Sequence, residues 1–286
     1  MKAALRYFSG TGNSYRVALR CAERLRVGGY EAEEACITRA GGFPTEARLV
    51  GFCFPVYAFA LPRIARKYLQ ALPRADGATK AFLIMTAGRQ DEAGNSLSEG
   101  VRLLAKKNYA VVYADVIEMP ANWTVAMNPP GREDAARIRE TGLAKADAIV
   151  EAILAGRSFI RGFTYPSRIS KARYYWDHWS FKYVGLANLW RSFTTDADCT
   201  GCGTCHAVCP VGSITMAAGR PVWSAACEQC MRCVNMCSRK AISQKGYGST
   251  KHRNHYMDAL FERKITAEFK ERALQGLPGG GFGPPG

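Results

Sequence analysis

The sequence predicts an α/β protein, a doubly wound parallel sheet followed by a small α+β domain organised around cysteine. Over residues 1–155, strand-like apolar runs alternate with helix-like segments, a pattern that implies a parallel sheet covered by helices on both faces. Eight of the eleven cysteines fall between Cys199 and Cys237, in one spacing used twice. Hydrophobic residues make up 48% of the 286, which supports a substantial core and argues against wholesale disorder.

Taken in order, Ala3–Phe8 is an apolar strand, and Gly12–Val27 a helix with Val17, Cys21 and Leu25 on one face. Tyr30–Cys36 and Leu49–Val56 read as strands. Pro62–Leu72 is a helix with Pro in its first turn, where the missing N–H removes no hydrogen bond. Lys80–Thr86 is a buried strand, Ser96–Lys107 a helix and Ala110–Val116 a strand. Arg132–Ala155 is a long helix that turns Ile138, Ala146, Ile149 and Ile153 inward. Ligands on such sheets sit beyond the carboxyl ends of the strands.

Residues 156–195 carry seven Lys or Arg against one acid, Asp177, and are rich in aromatics. Tyr174, Tyr175, Trp176, Trp179, Phe181, Tyr183, Trp190 and Phe193 crowd the second half, and Trp176, Trp179, Tyr183 and Trp190 fall at helical spacing. This predicts a structured helical connector that packs the two domains together or covers the sheet. The cysteine-rich domain runs over 196–245. A basic, helix-like tail occupies 246–286 and ends in LPGGGFGPPG, a composition expected to be disordered.

The formal charge is +15, which attracts anionic partners at long range without naming them. No nucleic-acid recognition motif is present, so nucleic acid is not expected as a partner. No run reaches the roughly 18 apolar residues of a membrane span. The first ten residues read as a strand entering a loop and lack the apolar core of a signal peptide, so a cytoplasmic location is expected. In a reducing compartment clustered cysteines point to metal rather than disulfides. Cys21, Cys36 and Cys53 lie within apolar patterns and read as buried small hydrophobes.

Cys199, Cys202, Cys205 and Cys209 are spaced C-x2-C-x2-C-x3-C, and Cys227, Cys230, Cys233 and Cys237 repeat that spacing 28 residues later. Ile214 and Ile242 keep the same offset, so the whole unit is duplicated. A [4Fe–4S] cube presents four irons, each needing one thiolate. Three close cysteines grip one face, and in two-cluster domains the fourth comes from the other run. The expectation is two [4Fe–4S] clusters, one on Cys199, Cys202, Cys205 and Cys237, the other on Cys227, Cys230, Cys233 and Cys209. Zinc needs no third CxxC step within a run. Cys202-Gly-Thr-Cys205-His206 also matches a haem attachment pattern, but it lies inside the cluster spacing.

The first strand ends in Ser9-Gly10-Thr11-Gly12-Asn13-Ser14 and passes straight into a helix. Small hydroxyls, glycines and a helix N-terminus suit a phosphate. The loop is neither a Walker motif nor GxGxxG, since Tyr15 takes the third glycine's place. Two further carboxyl-end loops, Phe54–Ala60 and Thr86–Arg89, converge on the same side of the sheet and suit a flat ring.

With these loops and both cysteine runs, the chain resembles the flavodoxin–ferredoxin fusion proteins: a flavodoxin-like domain over 1–155 and a bacterial-type ferredoxin domain after the connector. The resemblance covers about residues 1–250. It implies FMN as a cofactor, with Ser9, Thr11, Gly12, Asn13 and Ser14 on the phosphate, and Pro55, Val56, Tyr57, Thr86, Ala87 and Gly88 bordering the ring. Tyr57 is the candidate stacking residue and Trp123 a weaker one. Three features depart from the family pattern: a basic rather than acidic chain, Arg89 beside the flavin position, and Ser238 where a proline usually follows the last cysteine. The function implied is electron transfer between FMN, the two clusters and a redox partner protein with an acidic surface. A flavin-dependent reductase fed through the clusters is the alternative, and membrane-surface contact through residues 168–193 a further one. No substrate acid, base or pocket is identifiable, so no catalytic residue is assigned.

Overall fold

The computed structural model of the protein describes residues 1–38, 42–163, 170–180, 184–185 and 188–274. The expectations for Phe181, Tyr183 and the glycine-rich terminus lie outside the described residues.

Six parallel strands form one sheet: β1 (Lys2–Tyr7), β2 (Glu31–Cys36), β3 (Leu49–Pro55), β4 (Lys80–Ala87), β5 (Ala110–Glu118) and β6 (Phe159–Ile160), in the order β2-β1-β3-β4-β5-β6. The first five follow the flavodoxin-like order of a doubly wound sheet. Central strands buried on both faces read as unbroken apolar runs; LVGFCFP in β3 is buried at every position. The helices α1 (Asn13–Val27), α2 (Arg63–Ala71), α3 (Ser96–Lys106) and α4 (Arg132–Leu154) cover the sheet. Val17, Cys21 and Leu25 of α1 and Ala146 and Ile149 of α4 join one core layer; Leu69 of α2 and Leu97 and Leu104 of α3 join the other. Cys21 and Cys53 are fully buried, and Cys36 is half-buried with its sulfur 3.1 Å from Thr38 Oγ1.

Three features differ from the sequence reading. The sheet takes in β6, beyond residue 155, through pairing of Tyr113 and Ala114 with Phe159 and Ile160. The connector helix α5 (Lys171–Ser180) turns Tyr174 and His178 inward, while Trp176 and Trp179 are 64% and 53% exposed. Tyr174 is the ring of this helix that meets Phe59 and Phe163. The tail is also no appendage. Its helix, Ala259–Leu274, buries Phe261 and Ile265 in the core layer that holds α1.

The cysteine-rich domain is built from β7 (Phe193–Thr195), α6 (Thr204–Ala207), β8 (Ile214–Ala217), β9 (Arg220–Trp223), α7 (Arg232–Asn235) and β10 (Ile242–Gln244). β7 pairs antiparallel with β10, and β8 with β9. The tail helix is α8. No described helix is long and apolar enough to cross a membrane.

Candidate metal centres and the loops beyond the sheet

The 28-residue repeat is visible in the backbone. Gly201 and Gln229, Gly203 and Met231, and Gly212 and Lys240 form three pairs at that offset, and all six have positive φ. The cysteine loops need left-handed turns at these points. The first run meets the need with glycine, whereas the second accepts strained side chains. The amide four residues beyond each run's last cysteine donates to its sulfur: Ser213 N to Cys209 Sγ at 3.3 Å, and Ala241 N to Cys237 Sγ at 3.4 Å. Such bonds orient thiolates and tune potential.

These turns place the eight sulfurs around two cavities. Cys199, Cys202, Cys205 and Cys237 line the first, and Cys209, Cys227, Cys230 and Cys233 line the second. Each cavity takes three cysteines from one run and one from the other. Among the described residues no three His, Cys, Asp or Glu side chains converge as a single ion requires. The sulfurs instead surround a void, as a cube with iron at alternate corners demands. His206 places Nδ1 2.5 Å from the Ile214 carbonyl oxygen, a structural bond within the repeat.

The two cavities differ in depth. Cys202 is exposed, and the Thr204 hydroxyl and amide beside it lower its pKa. Burial pushes the Cys205 thiol of the first cavity up to about 11, and in the second Cys227 to about 12 and Cys230 to about 11. Ionising these thiols requires a metal to displace the proton, so loading couples to proton release. Phe193, Ile214, Trp223 and Met231 help to line the second cavity, an apolar shell that limits solvent access.

The carboxyl-end loops of the sheet meet the second cysteine run directly. Arg232, next to the ligand candidate Cys233, is 2% exposed. It donates from Nη2 to Ser9 O at 2.6 Å, from Nε to Gly10 O at 2.9 Å and from Nη1 to Val208 O at 3.1 Å. Its guanidinium lies 5.1 Å from the centre of the Phe261 ring. Arg63, at the start of α2, donates to Cys227 O at 2.6 Å and stands 3.5 Å from Glu228. Beyond β5, Thr124 Oγ1 donates to Asn235 Oδ1 at 2.8 Å, and Arg253 donates to Thr124 O at 2.8 Å. Sequence reasoning missed these seam residues.

The residues expected to hold FMN come together at this seam, but the bonds their side chains make run to protein groups. Gly12 N donates to Ser9 Oγ at 3.0 Å, Asn122 Nδ2 to Thr11 Oγ1 at 2.5 Å and Asn13 Nδ2 to Pro120 O at 2.8 Å. Ser14 Oγ lies 2.8 Å from Thr86 Oγ1. Ser9, Thr11, Asn13, Ser14 and Thr86 are all buried. A Cβ on Gly10 would stand 2.1 Å from Cys230 O, and one on Gly12 2.5 Å from Asp258 Cβ. The close approach these glycines permit is thus made by protein. Asn13 Oδ1 and the Tyr57 hydroxyl are buried without a hydrogen-bond partner, but the first is an acceptor and offers nothing to a phosphate.

The ring side is covered too. Tyr174 of α5 lies with its ring 5.5 Å from Phe59, and a Cβ on Gly94 would meet both residues. Val56 N is held by Thr86 O at 2.9 Å, and Pro55 and Ala87 are buried at their strand ends. Gly88 is half-buried against Ala121. Burial, with Cys230 and Glu228 nearby, raises the Tyr57 hydroxyl pKa well above its ordinary value. Arg89 pairs with Asp91 at 3.1 Å, and Trp123 packs 5.9 Å from Tyr247. In this arrangement the residues present do not fit FMN.

A family model described as a 4Fe-4S binding domain matches residues 195–215. Solved structures similar to the chain include a flavodoxin of Streptococcus pneumoniae TIGR4, 16% identical, covering 51% of this chain and 99% of that one at a TM-score of 0.36. A short-chain flavodoxin associated with a non-canonical PDU bacterial microcompartment has the same identity, coverages and TM-score. An NAD(P)H:quinone oxidoreductase from Methanothermobacter marburgensis is 13% identical, covering 54% of this chain and 98% of that one at 0.37. No curated protein matches the chain.

Proposed function

We propose that this chain, in which a flavodoxin-like sheet carries a ferredoxin-type 4Fe–4S domain, is an electron carrier with two [4Fe–4S] clusters serving a redox partner protein. The observation that carries the reading is the pair of cavities, each lined by four cysteines drawn from both runs. Cys199, Cys202, Cys205 and Cys237 would hold one cluster, and Cys227, Cys230, Cys233 and Cys209 the other. A bound cluster accepts and returns one electron at a time.

The chain's own residues do the rest. Ser213 N and Ala241 N donate to ligand sulfurs and so favour the more reduced state. Cys202 is exposed at the first cavity, which makes this the side for exchange with a partner, and the neighbouring Arg239 favours an acidic one. The apolar lining of the second cavity keeps water from the inner site. FMN is the flavin that the fold implies, but with Ser9–Ser14 bonded to protein we route no electron through it. The reductase reading depends on that same loop and gains no support from it. The reducing chemistry suits the cytoplasm.

Iron and sulfide analysis of anaerobically prepared protein tests the proposal, with about eight of each per chain expected. Cys237→Ser should perturb the cluster of Cys199, Cys202 and Cys205, and Cys209→Ser the other, each read by EPR of the reduced protein. Zinc in place of iron, or loss of both signals from either variant, would sink the assignment.

A further inference from the structure

The Ser9–Ser14 loop has the composition of a phosphate cradle, yet its side chains are bonded to Pro120, Thr86 and Asn122, and its glycines are pressed against Cys230 and Asp258. We infer that this loop is a socket for the cluster domain, so that the seated domain excludes FMN and the sheet serves as a mount for the second centre. Arg232 is the plug. Its planar fork supplies three N–H donors to Ser9 O, Gly10 O and Val208 O, which ties the loop to both cysteine runs.

Asp258 closes the other side. Its Oδ1 accepts from Leu260 N and Phe261 N, both at 3.1 Å, and its Oδ2 stands 3.5 Å from Arg16 of α1. Its backbone N–H donates to Thr11 O at 2.8 Å. A carboxylate-bearing turn thus abuts the N-terminal end of α1, where a helix favours negative charge and where a phosphate would sit. Phe261 follows, with its ring 5.3 Å from Tyr15. Tyr174 covers the ring side from a third segment of chain. Connector, cysteine runs and tail therefore converge on one site from three directions.

The test uses the full chain, loaded anaerobically with iron and sulfide. FMN in excess is added, the protein is desalted, and retained flavin is measured by fluorescence after denaturation. Hydrogen exchange of amides 9–16 is followed with and without FMN or inorganic phosphate. The socket predicts no retained FMN and slow exchange that neither addition changes. Arg232→Ala should speed exchange at amides 9–12 at least tenfold; if that variant does not fold, the wild-type titration decides. One FMN retained per chain, protection of amides 9–16 by phosphate, or unchanged exchange in a folded Arg232→Ala protein would overturn the inference. Iron and sulfide are counted on the same samples, so missing clusters would count against the electron-carrier reading and not against the socket.

Discussion

Arg232 carries a full charge into a seam where its described partners are neutral carbonyls and one aromatic face. Truncating it strands those carbonyls, so Arg232→Ala should cost about 2–4 kcal/mol in chemical denaturation of the loaded protein. Arg137→Ala, on a side chain 73% exposed, should stay within about 0.5 kcal/mol. The cation also stands beside Cys233, so a neutral residue at 232 should move the inner centre's reduction potential in the negative direction by redox titration, since a nearby cation stabilises added negative charge. Asp115 gives a pH-dependent counterpart. Burial opposes its ionisation, but hydrogen bonds from Arg161, Val116 N and Lys145 outweigh burial and hold the carboxyl below the ordinary 3.8. A depressed carboxyl contributes stability above its unfolded value and loses it as pH falls through the folded one. Asp115→Asn should therefore cost about 1–3 kcal/mol at neutral pH, and its gap from wild type should close below pH 3.8.

Within the duplicated cysteine unit, strain and crowding can be separated. Gly203 has φ 74° with open space where a Cβ would go, whereas Gly201 has φ 72° and the Gly219 carbonyl oxygen 2.7 Å from that point. Gly203→Ala should cost about 1–2 kcal/mol, the penalty of the left-handed region alone. Gly201→Ala should cost more and loosen the first centre, seen as faster iron loss to a chelator. The tail helix α8 offers a packing test. Phe261 is 1% exposed between Tyr15 and Arg232, and Phe261→Ala should cost about 3–5 kcal/mol. Elements like α1 and β3 were legible because burial writes a period into the sequence: Val17, Cys21 and Leu25 mark a helix face, and LVGFCFP a strand buried on both sides. β6 was not, since two exposed residues carry no period. The cysteine spacing was legible because cluster geometry leaves little freedom. The outward turn of Trp176 and Trp179 was not, because aromatic residues at helical spacing do not say which stripe meets the sheet.

At the scale of the whole molecule, what escaped the sequence is long-range. Arg232 meets Gly10 across 222 positions, and nothing local distinguishes a buried arginine from a solvated one. That contact joins the two expected domains across the seam. The loops after β1, β3 and β5 bond to the second cysteine run, and the connector and tail close over the same end. Cluster loading should therefore stabilise the sheet as well, because a ligand that binds only the folded seam adds its binding energy to everything that unfolds with it. Far-UV circular dichroism, which reports the sheet and its helices, and visible absorbance, which reports the clusters, should then melt in one transition in oxygen-free protein. Chelating the iron should lower the far-UV midpoint. A sheet that melts later than the clusters, with a midpoint unmoved by chelation, would show the two parts to be independent and the seam energetically idle.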